Sequence, residues 1–174
     1  MTRVEAETLR RKHRPSDIRV LFVAESPPAG GTFFYAANSN LFRAMASAFA
    51  EVFGRQVPSG EGFLEFFQLA GCYLDDLCLE PVNRMSASDR GGARKAGEKS
   101  LASRLVAHKP AAVVAVPMLI RPDVERALAL AGLVGIPVYS LPFPAMGHQQ
   151  RFATELGPLL KELGAQNVLR IQPA

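Results

Sequence analysis

Cysteine and histidine are scarce in this 174-residue chain, and the scarcity removes whole kinds of chemistry. Only Cys72 and Cys78 are present. Two thiolates cannot complete a structural zinc or iron–sulfur site. The three histidines, His13, His108 and His148, form no metal-ligand pattern. No apolar run approaches the roughly 20 residues of a membrane-spanning helix. The segment Thr2–Arg14 is charged and lacks the apolar stretch of a signal peptide. The expectation is a cytoplasmic protein with reduced thiols, no membrane association, no metal and no cofactor. Phosphate-cradling loops are missing too. No Gly-x-Gly-x-x-Gly follows the first apolar run, and there is no Gly-x-x-x-x-Gly-Lys, which argues against dinucleotide and P-loop sites. No Gly-x-Ser-x-Gly elbow appears.

What is present suits one ordinary domain, residues 1–174 with a core of about 18–163, and an apolar content of 48% supplies that core. Lys and Arg number 20 against 16 acidic residues, a net charge of +4. That allows a polyanionic partner without requiring one. The basic residues group as Arg10, Arg11, Lys12, His13 and Arg14, and more loosely as Arg84, Arg90, Arg94, Lys95 and Lys99. Either group reads equally well as a solvated face.

Thr2-Arg3-Val4-Glu5 has capping-box spacing and predicts a helix over Arg3–Arg11, stopped by Pro15. Ile18–Ala24 is apolar and β-branched, and reads as a buried strand. Pro27, Pro28, Gly30 and Gly31 make the next segment a loop. Asn38 or Ser39 caps a helix carrying Leu41, Phe42, Met45, Phe49, Val52 and Phe53 on one face. A helix from Phe63 ends at Gly71. Cys72–Leu79 reads as a second strand, interrupted by Asp75 and Asp76. Glu80–Gly92 reads as a long polar loop, Ala93–His108 as a helix, and Ala111–Val116 as a third strand. The rest reads as a helix over Pro122–Ala131, a strand over Pro137–Leu141, a helix over Gln149–Leu163, and a possible edge strand over Val168–Ile171. Apolar strands alternating with helices imply a three-layer α/β/α arrangement around a mainly parallel sheet of four strands, or five with the edge strand. Ligands bind such sheets beyond the carboxyl ends of the strands. Four loops meet there: Glu25–Tyr35, Glu80–Gly92, Pro117–Pro122 and Pro142–His148.

The first of these loops places a carboxylate, Glu25, before a rigid Pro-Pro, a flexible Gly-Gly and the triplet Phe33-Phe34-Tyr35. An acid beside aromatic rings can frame a planar ligand, although such rings also plug cores. The adjacent carboxylates of Asp75 and Asp76 repel one another, which raises one pKa.

In order and spacing these segments resemble the uracil-DNA glycosylase superfamily. Ala24-Glu25-Ser26-Pro27-Pro28 is similar to its first motif. Gly31–Phe42 is similar to the helix start of the mismatch-specific branch. Tyr73-Leu74-Asp75-Asp76-Leu77 followed by Glu80-Pro81-Val82-Asn83-Arg84 resembles a segment of the thermophilic branch. Leu141–His148 falls where the second motif belongs. The resemblance implies a uracil-DNA glycosylase-like fold acting as a monomer on DNA, without a cofactor.

In that picture Glu25 and Ser26 orient water and His148 stabilises the departing base. Phe34, Tyr35, Asn38 and Asp76 bind the base. Pro142, Phe143 and Met146 wedge the duplex, and Arg84 and Arg151 grip phosphate. The chain also departs from the family. Ser26 stands where the family carries Asp or Asn, Asp76 replaces the base-reading Asn, and Leu141 is aligned with the second motif's His. Two readings stay open: a glycosylase that flips and excises an aberrant base, or a member that binds nucleic acid or a nucleotide-like planar ligand without excision.

Overall fold

A computed structural model describes residues 2–171. Helix α1 (Arg3–Lys12) opens with the expected capping box, Thr2 and Glu5 each satisfying the other's backbone N–H. It is followed by β1 (Val20–Ala24), α2 (Asn40–Phe53), α3 (Gly62–Leu69), β2 (Cys72–Asp76), α4 (Ala87–His108), β3 (Ala112–Val116), α5 (Arg121–Leu130), β4 (Val138–Ser140) and α6 (Gln149–Ala165). The four strands form one all-parallel sheet in the order β2-β1-β3-β4.

The order fixes where the helices lie. The chain leaves β1 toward β2 in one direction, then crosses back over β1 to β3 and on to β4. Right-handed crossovers therefore put α2 and α3 on one face and α4 and α5 on the other. α2 packs on α6, and α4 on α5. β1, β2 and β3 are buried at every position, as strands covered on both faces should be. On the α2–α3 face the core is a set of interlocking rings, with Phe22, Phe34, Phe49 and Phe63 all touching Phe67.

Three readings of the sequence are corrected. Segment 168–171 forms no strand, so the sheet of the described residues has four strands and not five. Instead the Arg19 guanidinium holds the carbonyls of Asn167 and Val168, and Arg170 N–H donates to Ala70. Helix α4 starts at Ala87 and not at Ala93, because Ser86 caps it by accepting from Asp89 N–H. The polar loop is accordingly shorter than Glu80–Gly92. Finally, Asp75 and Asp76 do not interrupt β2; they are its last two residues and are buried. Cys72 and Cys78 are both buried and free. No helix of the described residues is long and apolar enough to cross a membrane.

Candidate functional site

The strand order reverses between β1 and β3, and the crevice at their carboxyl ends is the natural ligand site of such a sheet. A cavity of about 310 Å³ opens there, lined by Glu25 and Ser26 after β1, Pro117 after β3, Asn83 from the connection into α4, Arg90 of α4 itself, and Phe143 after β4. A second, smaller cavity of about 60 Å³ adjoins it. Ser26, Pro28 and Phe143 line both, and Phe33, Phe34, Leu74 and Asp76 line the smaller one.

Strand parity puts the two acids of β2 on opposite faces. Asp76 pairs in register with Ala24 and lies on the side of Phe33 and Phe34; Asp75, beside Val23, meets Arg104 of α4 at 2.6 Å. Arg10 of α1 reaches over the sheet edge and binds the Asp76 carboxylate, its guanidinium lying 5.4 Å from the Phe33 ring centre. Burial nonetheless dominates at Asp76 and pushes its pKa up to about 7, against the pull of Arg10.

Glu25 has the opposite electrostatics. Arg90 binds both of its oxygens, and Arg94 Nη1 adds a bond of 3.2 Å. Burial alone would raise the carboxyl pKa, but these hydrogen bonds and charges outweigh it and hold it below the usual value. The pairing continues as a chain: Arg94 to Asp123 at 3.6 Å, Asp123 to Arg126 at 2.6 Å, and Arg126 to Glu98 at 2.8 Å. Arg90, Arg94 and Glu98 are spaced four apart, so one face of α4 supplies all three. Gly97 lets that helix approach, since a Cβ there would lie 2.6 Å from the Leu77 carbonyl oxygen.

The loops around the cavities are tied to one another. Ser26 Oγ accepts from Val82 N–H and Asn83 Oδ1 accepts from Ala29 N–H, both at 3.2 Å. Asn38 Oδ1 accepts from Phe33 N–H at 2.7 Å, which positions the aromatic triplet. Of the residues expected at the site, Glu25 and Ser26 line the larger cavity, and Phe34 and Asp76 the smaller. Asn38 and Tyr35 line neither. Tyr35 is buried and its hydroxyl bridges both backbone groups of Leu74 on the outer edge of β2. His148 is exposed at the start of α6 and lines neither cavity.

Pro142 is buried, and Met146, with φ +53°, stands 96% exposed at the tip of its loop. Arg84 is exposed, and Arg151 pairs with Glu155 on its own helix. Asn83, Arg90, Arg94 and Pro117 have no site role in the sequence reading, and Phe33 enters it only as one ring of the aromatic triplet. The spacing Ser86 to Asp89, a helix-start signal, would have moved Arg90 from a loop onto α4. Among the described residues no group of three or more His, Cys, Asp or Glu could hold a metal ion. No protein-family model matches the chain, and no curated protein matches it.

Proposed function

We propose that this chain is a nucleic-acid-binding protein of uracil-DNA glycosylase-like design, which receives a nucleotide turned out of its strand at the carboxyl ends of β1 and β3. The observation that carries the reading is the junction of two unlike cavities beneath Phe143. One offers aromatic rings and an acid for a planar base, through Phe33, Phe34 and Asp76. The other offers a guanidinium and an amide for the sugar–phosphate, through Arg90 and Asn83. Around the same edge Met85, Met118, Leu119, Phe143 and Met146 are exposed apolar side chains, suited to wedging between bases.

Recognition without excision is the better supported form of this reading. A carboxylate held by two guanidiniums is a weak base, so Glu25 is poorly placed to activate water. No imidazole lines either cavity to stabilise a leaving base. The smaller cavity is also well below the about 150 Å³ that accepts a benzene ring, so a base enters only if Phe143 or the Pro27–Pro28 loop gives way. One observation favours the excision reading. A neutral Asp76, within reach because its pKa stands near 7, donates a hydrogen bond to a uracil-like edge that an ionised carboxylate cannot make.

Duplex and single-stranded DNA, with and without uracil, hypoxanthine or xanthine, separate these forms in one experiment. The expected result is retention that weakens steeply with salt and falls several-fold in Met146→Ser, with no abasic product. Abasic sites formed by the parent and kept in Asp76→Asn, whose amide retains the donor, would replace recognition by excision. No retention at low salt would end the nucleic-acid reading.

A further inference from the structure

Of the basic run at the amino terminus the site described above uses only Arg10, through Asp76, and the run does not form a simple solvated face. Segment Thr2–Arg14 holds five cationic and two acidic side chains, and so carries three of the chain's four net positive charges. Arg3, Arg10 and Arg11 converge with Arg104 of α4 on a separate cavity of about 210 Å³, whose wall is completed by Ala6, Pro27 and Leu79. Among the described residues Glu7 is the only acid that lines it.

The Glu7 carboxylate shows what this cavity accepts. Arg10 Nη1 and Arg11 Nε each donate to it at 3.1 Å, so an oxyanion already sits between two guanidiniums. Glu7 is partly exposed, with a side chain 39% accessible, and can rotate out toward water. Donors remain in excess. Among the described residues the terminal nitrogens of Arg11 make no hydrogen bond, Arg3 uses one nitrogen on Glu80, and Arg10 Nε is buried without a hydrogen-bond acceptor, 4.0 Å from the nearest Asp75 oxygen. Arg10 is anchored from behind by Asp76, and Arg104 by Asp75, so both guanidiniums are held in place before any ligand arrives. A tetrahedral oxyanion, with more acceptors than a carboxylate, uses these spare donors where Glu7 cannot.

We infer that this arginine cavity is a binding site for a phosphate group, which enters by displacing the Glu7 side chain. The source is a small phosphate monoester or a backbone phosphate of a nucleic acid. The site does not depend on the nucleotide reading of the larger cavity, because Arg3, Arg10, Arg11 and Arg104 line neither part of that junction.

The test titrates the full-length protein with inorganic phosphate, with a sugar phosphate, and with a short oligonucleotide lacking terminal phosphates. Calorimetry and thermal unfolding are read at constant ionic strength with chloride as the control. Phosphate is expected to bind in the millimolar range and to raise the unfolding temperature above the chloride control. Arg11→Gln is expected to weaken binding at least fivefold. Glu7→Gln is expected to tighten it by a similar factor, a gain that misfolding cannot produce. Arg55→Gln, exposed and outside the cavity, should change nothing. Dependence on Arg11 with the small phosphates, or with the oligonucleotide alone, supports the site and identifies its source. The proposal is overturned if none of the three binds above the control, or if binding is indifferent to both Arg11→Gln and Glu7→Gln.

Discussion

Glu25 and Arg90 meet as a two-point ion pair, the Nε and Nη2 of Arg90 donating to different oxygens of the carboxylate at the inner wall of the larger cavity. Fork-to-fork geometry of this kind fixes both planes and leaves Glu25 little freedom to serve a ligand. Arg90, by contrast, is 36% exposed and still presents an edge to the cavity. The pair thus works as a support for the guanidinium.

Glu25→Gln tests that assignment directly. The amide cannot satisfy both Arg90 and Arg94, and Arg94 is mostly buried. A loss of about 2–3 kcal/mol is expected in urea unfolding, below the full cost of breaking a buried pair because Arg90 reaches solvent. The cavity also becomes more cationic, so DNA retention should rise about two- to fivefold at low salt. A carboxylate that activated water would behave otherwise: the variant would lose product formation and gain no affinity.

The same cluster marks the boundary of what could be read from the sequence. Strand and helix identities were accessible because apolar runs such as Val20–Ala24 and the Leu41, Met45, Phe49, Val52 stripe carry their own periodicity. The ends of the sheet were accessible through Glu25 and Asp76. Their partners were not. Arg90 and Arg94 looked like part of a solvated basic run, and only the docking of α4 against the end of β2, where Gly97 meets Leu77, turns them inward. Arg10 is separated from Asp76 by 66 positions, and no local pattern announces a pairing across that distance. Tyr35 looked like a stacking ring because its position beside Phe34 says nothing about a hydroxyl bridge to a sheet edge.

Gly97 makes the docking of α4 testable. Alanine is favoured over glycine in a helix by about 1 kcal/mol, yet a Cβ at position 97 meets the Leu77 carbonyl oxygen at 2.6 Å. The clash should prevail and Gly97→Ala should lose about 1–3 kcal/mol. Gly92→Ala, on the same helix with nothing within 4 Å, should instead gain up to about 1 kcal/mol. Urea unfolding of the two variants should therefore show shifts of opposite sign. Shifts of the same sign would mean that α4 does not press on Leu77, just after β2, at Gly97.

Tyr35 predicts a local effect at the sheet edge. β2 is an outer strand, and the Tyr35 hydroxyl accepts from Leu74 N–H at 2.7 Å while donating to Leu74 C=O at 3.0 Å. Tyr35→Phe keeps the ring packing and leaves both groups unpaired in a buried place, at a cost of about 1–3 kcal/mol. Amide exchange at Leu74 should accelerate more than exchange at Val114 in the sheet centre. Equal acceleration at both would refer the loss to global stability and not to the edge.

Arg10→Met predicts a stability change that depends on pH, and its sign follows from Asp76. That carboxyl stands near 7 in the folded protein against an ordinary 3.8, because burial outweighs the attraction of Arg10. Between about pH 4 and 7 the folded state therefore holds a proton that the unfolded chain has released. The contribution of Asp76 to stability is greatest below that window and declines as pH rises through it. Methionine keeps much of the stem volume of Arg10 but removes the charge, which lifts the Asp76 carboxyl further. At pH 5 the group is neutral in parent and variant alike, and the deficit reflects lost packing and the lost Glu7 bond. At pH 8 the parent holds an ionised pair, whereas the variant must bury an unpaired carboxylate or take up a proton. The expected deficit is about 3 kcal/mol at pH 8 and clearly smaller at pH 5. His13 and His108, both with pKa lowered by burial, make the parent's own stability rise with pH across part of this range. Measuring variant against parent at each pH removes that contribution. Equal deficits at pH 5 and pH 8 would show that Arg10 does not govern the charge of Asp76.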